Sequence, residues 1–433
     1  MTPPTLAQLP TQAPQLDAIP IDKNVARKHT LPAKFWTSDE VFEFEKRAIF
    51  HKSWMYCTHT SRFEKSGDYY SFNISGINFF IIKSKTDGSV KAFHNVCRHR
   101  AYPVVRKDKG SSNVLACHYH RWTYNSDGEL KKAPGFEDVD GFDKSENGLF
   151  EISTHVTPQG LIYVNFSSDP VPFDTWFEGM TEEMNEFDFS DYEYHMSYEL
   201  DGKFNWKTLC DSYSECLHCQ SAHPGLSAAF KINTYKVVPK TRYARHYAEI
   251  VREEKKPEPG KSSWFGKKND TKVEEKKNIG GEFDGLWIYQ FPIAGINCYS
   301  PAWYSIRILP ISAKRTILQY DIYTKKGLDE ASKKEFVDFL QQVEIEDYEL
   351  CRLTQKNLNE GIYSTGYLHP EQENGLLFYQ GLVKDMITEH FKLEQEKGEP
   401  IDPAAVGNHS SGEIEELDGI CQSLECGKSS IDW

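Results

Sequence analysis

Cys97 and His99 lie in the stretch CRHR, and Cys117 and His120 lie in CHYH. Each half-site sets one thiol beside one imidazole, as a metal centre gripped by two loops requires. A Cys2His2 set could hold structural zinc, but zinc fingers usually pair cysteine with cysteine and histidine with histidine. Here each half mixes the two. That mixture suits a [2Fe-2S] cluster with one iron on two cysteines and the other on two histidines, because each loop can then give a ligand to each iron.

A second loaded stretch, NWKTLCDSYSECLHCQSAHP, begins at Asn205. His218 and His223 would sit well off one face of a continuous helix, so the helix is predicted to end between them. Pro224 supports the break, since it pushes His223 out of the α region and lets it turn back from a loop. Two histidines and one distant carboxylate would make the facial triad that leaves Fe(II) open to oxygen and substrate. The carboxylate is predicted on EFVDFLQQVEIEDYELCRLTQKNL. There Phe336, Leu340, Val343 and Leu350 define a helical stripe that carries Asp347, while Phe339, Val343, Leu350 and Leu353 define an overlapping one that carries Glu346. A carboxylate facing a core is costly without a partner, and a metal would explain it. Periodicity leaves both residues open. Glu215, one helical turn before His218, is placed to bond that ring's remote nitrogen, and Asp211, a turn earlier, is the competing acid.

HNVCRHRAYPVV and CHYHRWTYNSDGEL resemble the two cluster loops of the Rieske non-haem iron oxygenases. The Asn205 stretch resembles the catalytic motif of the same family, in which Asn-Trp-Lys opens a helix and an acid stands three residues before the first iron-binding histidine. The chain departs from the pattern at Ala101 and Arg121, both usually Gly, a residue often chosen for backbone angles that Ala and Arg adopt less easily. The resemblance implies that Cys97, His99, Cys117 and His120 hold a Rieske [2Fe-2S] cluster and that His218, His223 and Asp347 hold a mononuclear Fe(II). It favours Asp347 because Cys351 and Gln355 follow it at the family's spacing, and it favours Glu215 over Asp211. Glu215 and Asp347 are thereby the expected catalytic acids. The Glu215-Cys216 pair looks more like the branch that acts on quaternary amines, choline monooxygenase among them, than like the ring hydroxylases, many of which carry Asp there.

The same resemblance implies a homotrimer in which the cluster of one subunit serves the iron of the next, through His120 of one chain and Glu215 and His218 of its neighbour. Electrons would come from NAD(P)H through a separate flavin and iron-sulfur reductase, and the chain has no GxGxxG fingerprint of its own. Quaternary ammonium groups are held by aromatic faces, and Tyr213, Trp287, Tyr289, Trp303 and Tyr304 are the candidate walls, with core packing as the alternative for each. The expected reaction is hydroxylation of a C–H bond next to a quaternary nitrogen, as in conversion of choline to betaine aldehyde or in oxidation of betaine or carnitine. An aromatic-ring hydroxylase or demethylase is the second reading, and an electron-transfer Rieske protein without oxygenase activity the third.

These residues need two supporting bodies, and 433 residues at 39% hydrophobic content suffice for two or three domains. The fold class is predicted as α+β. An antiparallel β Rieske domain with an N-terminal helix is expected over 31–175, after a flexible arm over 1–30, and a catalytic domain with a sheet flanked by helices over 190–402. A charged surface insertion is expected over 252–282 and a flexible tail over 403–433, which includes Cys421 and Cys426. The other cysteines, Cys57, Cys210, Cys216, Cys219, Cys298 and Cys351, read as buried thiols in a reducing, cytoplasmic setting. A net charge of −14 disfavours nucleic acid and anionic membrane as partners and is compatible with a cationic substrate.

Overall fold

The computed structural model describes residues 28–251 and 285–405. The predicted arm up to residue 27, the insertion over 252–282, the tail from 406 and with it Cys421 and Cys426 lie outside the described residues. No helix among those described is long and apolar enough to cross a membrane.

The first lobe is a seven-stranded antiparallel sheet in the order Met55–His59, Leu161–Asn165, Glu151–Val156, Val90–His94, Ile77–Lys83, Asp68–Ile74, Lys109–Ser111. Its central hairpin follows from the Asn-Ile-Ser-Gly turn signal: Ile74 pairs with Ile77, and Ser75 and Gly76 take φ of 53° and 86° in the two-residue turn. A small three-stranded sheet, Val114–Ala116, Thr123–Asn125 and Leu130–Lys132, stands on this lobe. Phe80, Ile82, Phe93, Leu115, Trp122 and Tyr124 give the cluster loops a core separate from the main one.

The second lobe carries a seven-stranded antiparallel sheet in the order Tyr192–Gly202, Arg315–Lys325, Ala302–Ser312, Ala294–Cys298, Leu286–Gln290, Tyr243–Ile250, Phe230–Pro239. The long helices Glu330–Asn359 and Asn374–Lys397 accompany it, so the fold is α+β. The buried face of Glu330–Asn359 runs through Phe336, Val337, Leu340, Glu344, Cys351, Gln355 and Leu358. Leu350 and Leu353, which the sequence puts on the inward stripes, are 37% and 50% exposed. Polar Glu344 and Gln355 hold the inward positions instead.

The helix Asp39–Ala48 begins at Ser38, whose hydroxyl accepts the Val41 N–H. The sequence groups it with the first lobe, yet it packs on Asn374–Lys397, where Arg47 grips Glu394. Its inward Glu45 is fully buried, 2.7 Å from Lys207 Nζ, and accepts the Trp206 indole N–H at 2.9 Å. Asn205 caps the helix Trp206–Tyr213 by accepting the Lys207 N–H, while Gln355 accepts the Asn205 N–H and donates to Trp36 O. Asn-Trp-Lys is therefore a tie between the helix Asp39–Ala48 and the second lobe. Glu45→Ala would strand the Lys207 ammonium without its partner at a cost of about 3–5 kcal/mol. Urea unfolding should show that loss, and an unchanged midpoint would mean that the pair does not tie the lobe.

Candidate metal centres and cavity

The two cluster loops repeat one another. Cys97 N–H bonds Tyr102 O at 3.0 Å and Ala101 N–H returns to Cys97 O at 2.9 Å; Cys117 N–H bonds Trp122 O at 2.8 Å and Arg121 N–H returns to Cys117 O at 3.0 Å. Ala101 and Arg121 take φ of 55° and 61°, the left-handed conformation that Gly adopts more easily. The loops thus keep that path without Gly, at about 1–2 kcal/mol per position. Cys97 and Cys117 are buried, and His99 and His120 are half-buried with ring centroids 4.4 Å apart. Tyr124 OH lies 3.3 Å from Cys97 Sγ, His99 stacks on Trp122, and buried His99 Nδ1 has no hydrogen-bond partner among the described residues. Inner thiols and outer imidazoles are a donor set that fits a cluster with unlike irons.

At the second centre, the helix Trp206–Tyr213 ends before Glu215, a short helix spans Cys219–Ala222, and another starts at Pro224. The chain breaks earlier than the sequence predicts, so Glu215 and His218 do not share a helix. The turn nevertheless puts Glu215 Oε1 2.5 Å from His218 Nδ1, while Glu215 Oε2 accepts the Leu217 N–H. Asp211 is engaged elsewhere, by the Tyr379 hydroxyl and by Gln380 Nε2. Cys216 and Cys219 form a disulfide across this turn, which corrects their reading as separate thiols. Cys219 Sγ lies 4.0 Å from His218 Nε2, but its bond to Cys216 withdraws it as a ligand.

His218 Nε2 and His223 Nε2 are 3.1 Å apart, and each lies 3.4 Å from Asp347 Oδ1, a buried oxygen without a hydrogen bond among the described residues. A metal about 2.1 Å from each of three donors at right angles would set them about 3.0 Å apart. The triangle fits one ion. Both remote nitrogens are engaged, Nδ1 of His218 by Glu215 and Nδ1 of His223 by Glu346 Oε2 at 2.9 Å, which leaves both Nε2 atoms for a metal. Glu346 therefore supports His223 instead of joining the triangle, a role its stripe could not distinguish from a ligand's.

Burial opposes charge on His218, yet Asp347 and Glu215 outweigh it and push its pKa up to about 10; His223 is raised by Asp347 and Glu346 against the same burial. Without metal His218 holds a proton at neutral pH. An incoming Fe(II) must displace it, so its affinity should climb about tenfold per pH unit from 6 to 8, with release of about one proton. Anaerobic calorimetry in buffers of differing ionisation heat checks this, and pH-independent binding would contradict it.

The triangle opens on a cavity lined by Tyr213, Trp287 and Tyr304, with Phe230, Tyr235, Tyr299, His246, Asn297 and Glu344. Tyr289 and Trp303 are not among its walls. The Tyr213 hydroxyl and ring fill the space over Gly295, which pairs with Tyr289, and Tyr289 OH donates to Pro292 O. Trp303 faces away from Tyr304 by strand alternation and stacks on Tyr323 at 3.9 Å. Three polar residues escape the sequence reading. Asn297 accepts the Tyr213 hydroxyl at 2.7 Å. His246, bonded to Tyr235 OH, is driven down to about 3 by burial and stays neutral. Glu344 is pushed up to about 8 by burial and then by Asp347.

Residues 53–143 match the family model described as Rieske [2Fe-2S] domain, and residues 189–389 match the one described as ring hydroxylating alpha subunit (catalytic domain). The chain is 28% identical to the carnitine monooxygenase oxygenase subunit of Acinetobacter baumannii, over 82% of this chain and 94% of that one. It is 27% identical to the glycine betaine monooxygenase oxygenase subunit of Pseudomonas aeruginosa, over 81% and 88%. A crystal structure of a quaternary ammonium Rieske monooxygenase in complex with L-carnitine superposes with a TM-score of 0.70 at 26% identity, covering 83% of this chain and 95% of that chain. With both domains in one chain and a site in each, the protein belongs to the Rieske non-haem iron oxygenases, as an α subunit of that family.

Proposed function

We propose that this oxygenase hydroxylates a C–H bond near a quaternary nitrogen, using O2 and two electrons delivered by a separate flavin and iron-sulfur reductase from NAD(P)H. The aromatic walls of Tyr213, Trp287 and Tyr304 around the His218–His223–Asp347 triangle carry this reading, because a quaternary ammonium cannot donate hydrogen bonds and is recognised by aromatic faces. The names of the relatives support it. One oxygen atom enters the substrate and the other leaves as water, with two protons consumed. Hydroxylation on a carbon bound to nitrogen gives a product that falls apart to an amine and an aldehyde; hydroxylation on the alcohol carbon of choline gives betaine aldehyde after loss of water.

Cys97, His99, Cys117 and His120 would hold the cluster, and His218, His223 and Asp347 the iron, which when bound supplies the site of O2 activation. Glu215 fixes the His218 ring and leaves Nε2 facing the metal. In a homotrimer the same carboxylate would stand between His218 and His120 of the neighbouring subunit, and would pass electrons across that interface. Tyr213 is held by Asn297, so its ring stays fixed as a wall of the substrate space.

Oxygen uptake by anaerobically purified, iron-replete protein with NADH and a surrogate reductase, across choline, glycine betaine, carnitine and a set of aromatic acids, tests the reading. Coupled uptake with an amine, with an aldehyde formed in step, is the expected result. Uptake with aromatic acids alone would replace the substrate by that of a ring hydroxylase.

A further inference from the structure

Glu344 stands one turn before Asp347 on the helix Glu330–Asn359 and lines the same cavity, yet it has no part in the metal triangle. It is 6% exposed. Its Oε2 accepts from Tyr320 OH at 2.6 Å and its Oε1 from Tyr304 OH at 3.3 Å, and no Lys, Arg or His forms an ion pair with it among the described residues. A carboxylate can accept about four hydrogen bonds. Two phenols therefore hold the group in place but leave its charge largely uncompensated, and a buried acid without a counter-ion is costly unless a cation arrives or a proton stays on it.

The surroundings say which cation. Tyr213, Trp287, Tyr299 and Tyr304 wall the cavity with rings, and Lys and Arg are absent from its described lining. A quaternary ammonium spreads its charge over methyl groups, packs against such rings and is attracted by an anion it does not touch through a hydrogen bond. The same cavity presents Asn297 Nδ2 and His246 Nε2, both buried and without a hydrogen-bond partner among the described residues, which suit the oxygen-bearing end of a bifunctional amine.

We propose that Glu344 is the counter-charge for the substrate's quaternary nitrogen and sets the preference of this cavity for a cation over a neutral molecule of the same shape. This rests on the quaternary-amine reading above. Tyr320 and Tyr304 orient the carboxylate, and the ring walls exclude the water that would otherwise weaken the attraction.

Calorimetric titration above pH 8, where the Glu344 carboxyl is ionised in the empty cavity as well, separates charge from shape. Choline and its neutral carbon isostere 3,3-dimethylbutan-1-ol, and glycine betaine and 3,3-dimethylbutanoate, are titrated into the iron-loaded protein and into Glu344→Gln and Glu344→Asp. The native protein is expected to bind at least one of the two amines about tenfold or more tightly than its isostere. Glu344→Gln should lose most of that ratio with little change for the isostere, at unaltered iron content and cluster absorbance, and Glu344→Asp should keep part of it. An undiminished ratio in Glu344→Gln, or equal weakening of amine and isostere, would overturn the counter-charge. If the native protein binds neither amine more tightly than its isostere, the quaternary-amine reading fails as well.

Discussion

Three donor atoms converge: two imidazole nitrogens 3.1 Å apart, each 3.4 Å from one carboxylate oxygen. They come from the turn after Tyr213, from the residue before Pro224 and from the middle of a distant helix, so the site exists only while those elements keep their separation. The Glu45–Lys207 pair and the Asn205–Gln355–Trp36 chain of hydrogen bonds supply that constraint. They fix the start of the Trp206 helix against both the helix Asp39–Ala48 and the helix that carries Asp347. Burial makes these polar contacts directional and costly to lose.

Carboxylates surround the triangle in distinct ways. Glu215 and Glu346 face the remote nitrogens of the two histidines and fix which nitrogen is free, while Glu344 turns to two tyrosines and lines the space beyond. The helix makes this division, since residues one turn apart share a face and adjacent residues do not. The cluster lobe uses a different device, two loops of one backbone pattern set on a small core, and accepts left-handed Ala101 and Arg121 to preserve it.

Much of this was legible where function is local in sequence. The paired Cys and His of each loop, Glu215 beside His218, and the break at Pro224 are all short-range patterns, and the order of strands and long helices was readable as α+β. What escaped depends on facing. The Leu350 and Leu353 stripes misjudged the inward side of the long helix, because tertiary contacts of Glu344 and Gln355 decide it. Tyr289 and Trp303 were aromatic and nearby, but the sequence does not say that Tyr213 lies over Gly295 or which side of the Ala302–Ser312 strand meets the cavity. The Cys216–Cys219 bond needed the turn geometry, and the helix Asp39–Ala48 joined the second lobe through a buried Glu45 that composition alone reads as surface.

The pairing of a cluster held by the Cys97 and Cys117 loops with a separate iron held by His218, His223 and Asp347 is tested most directly by Mössbauer spectra of 57Fe-grown protein and its Asp347→Ala variant. About three irons per chain are expected, two in a cluster signal and one as high-spin Fe(II), with only the last missing from the variant. Zinc in place of the cluster iron, or the same Fe(II) signal in the variant, would contradict it.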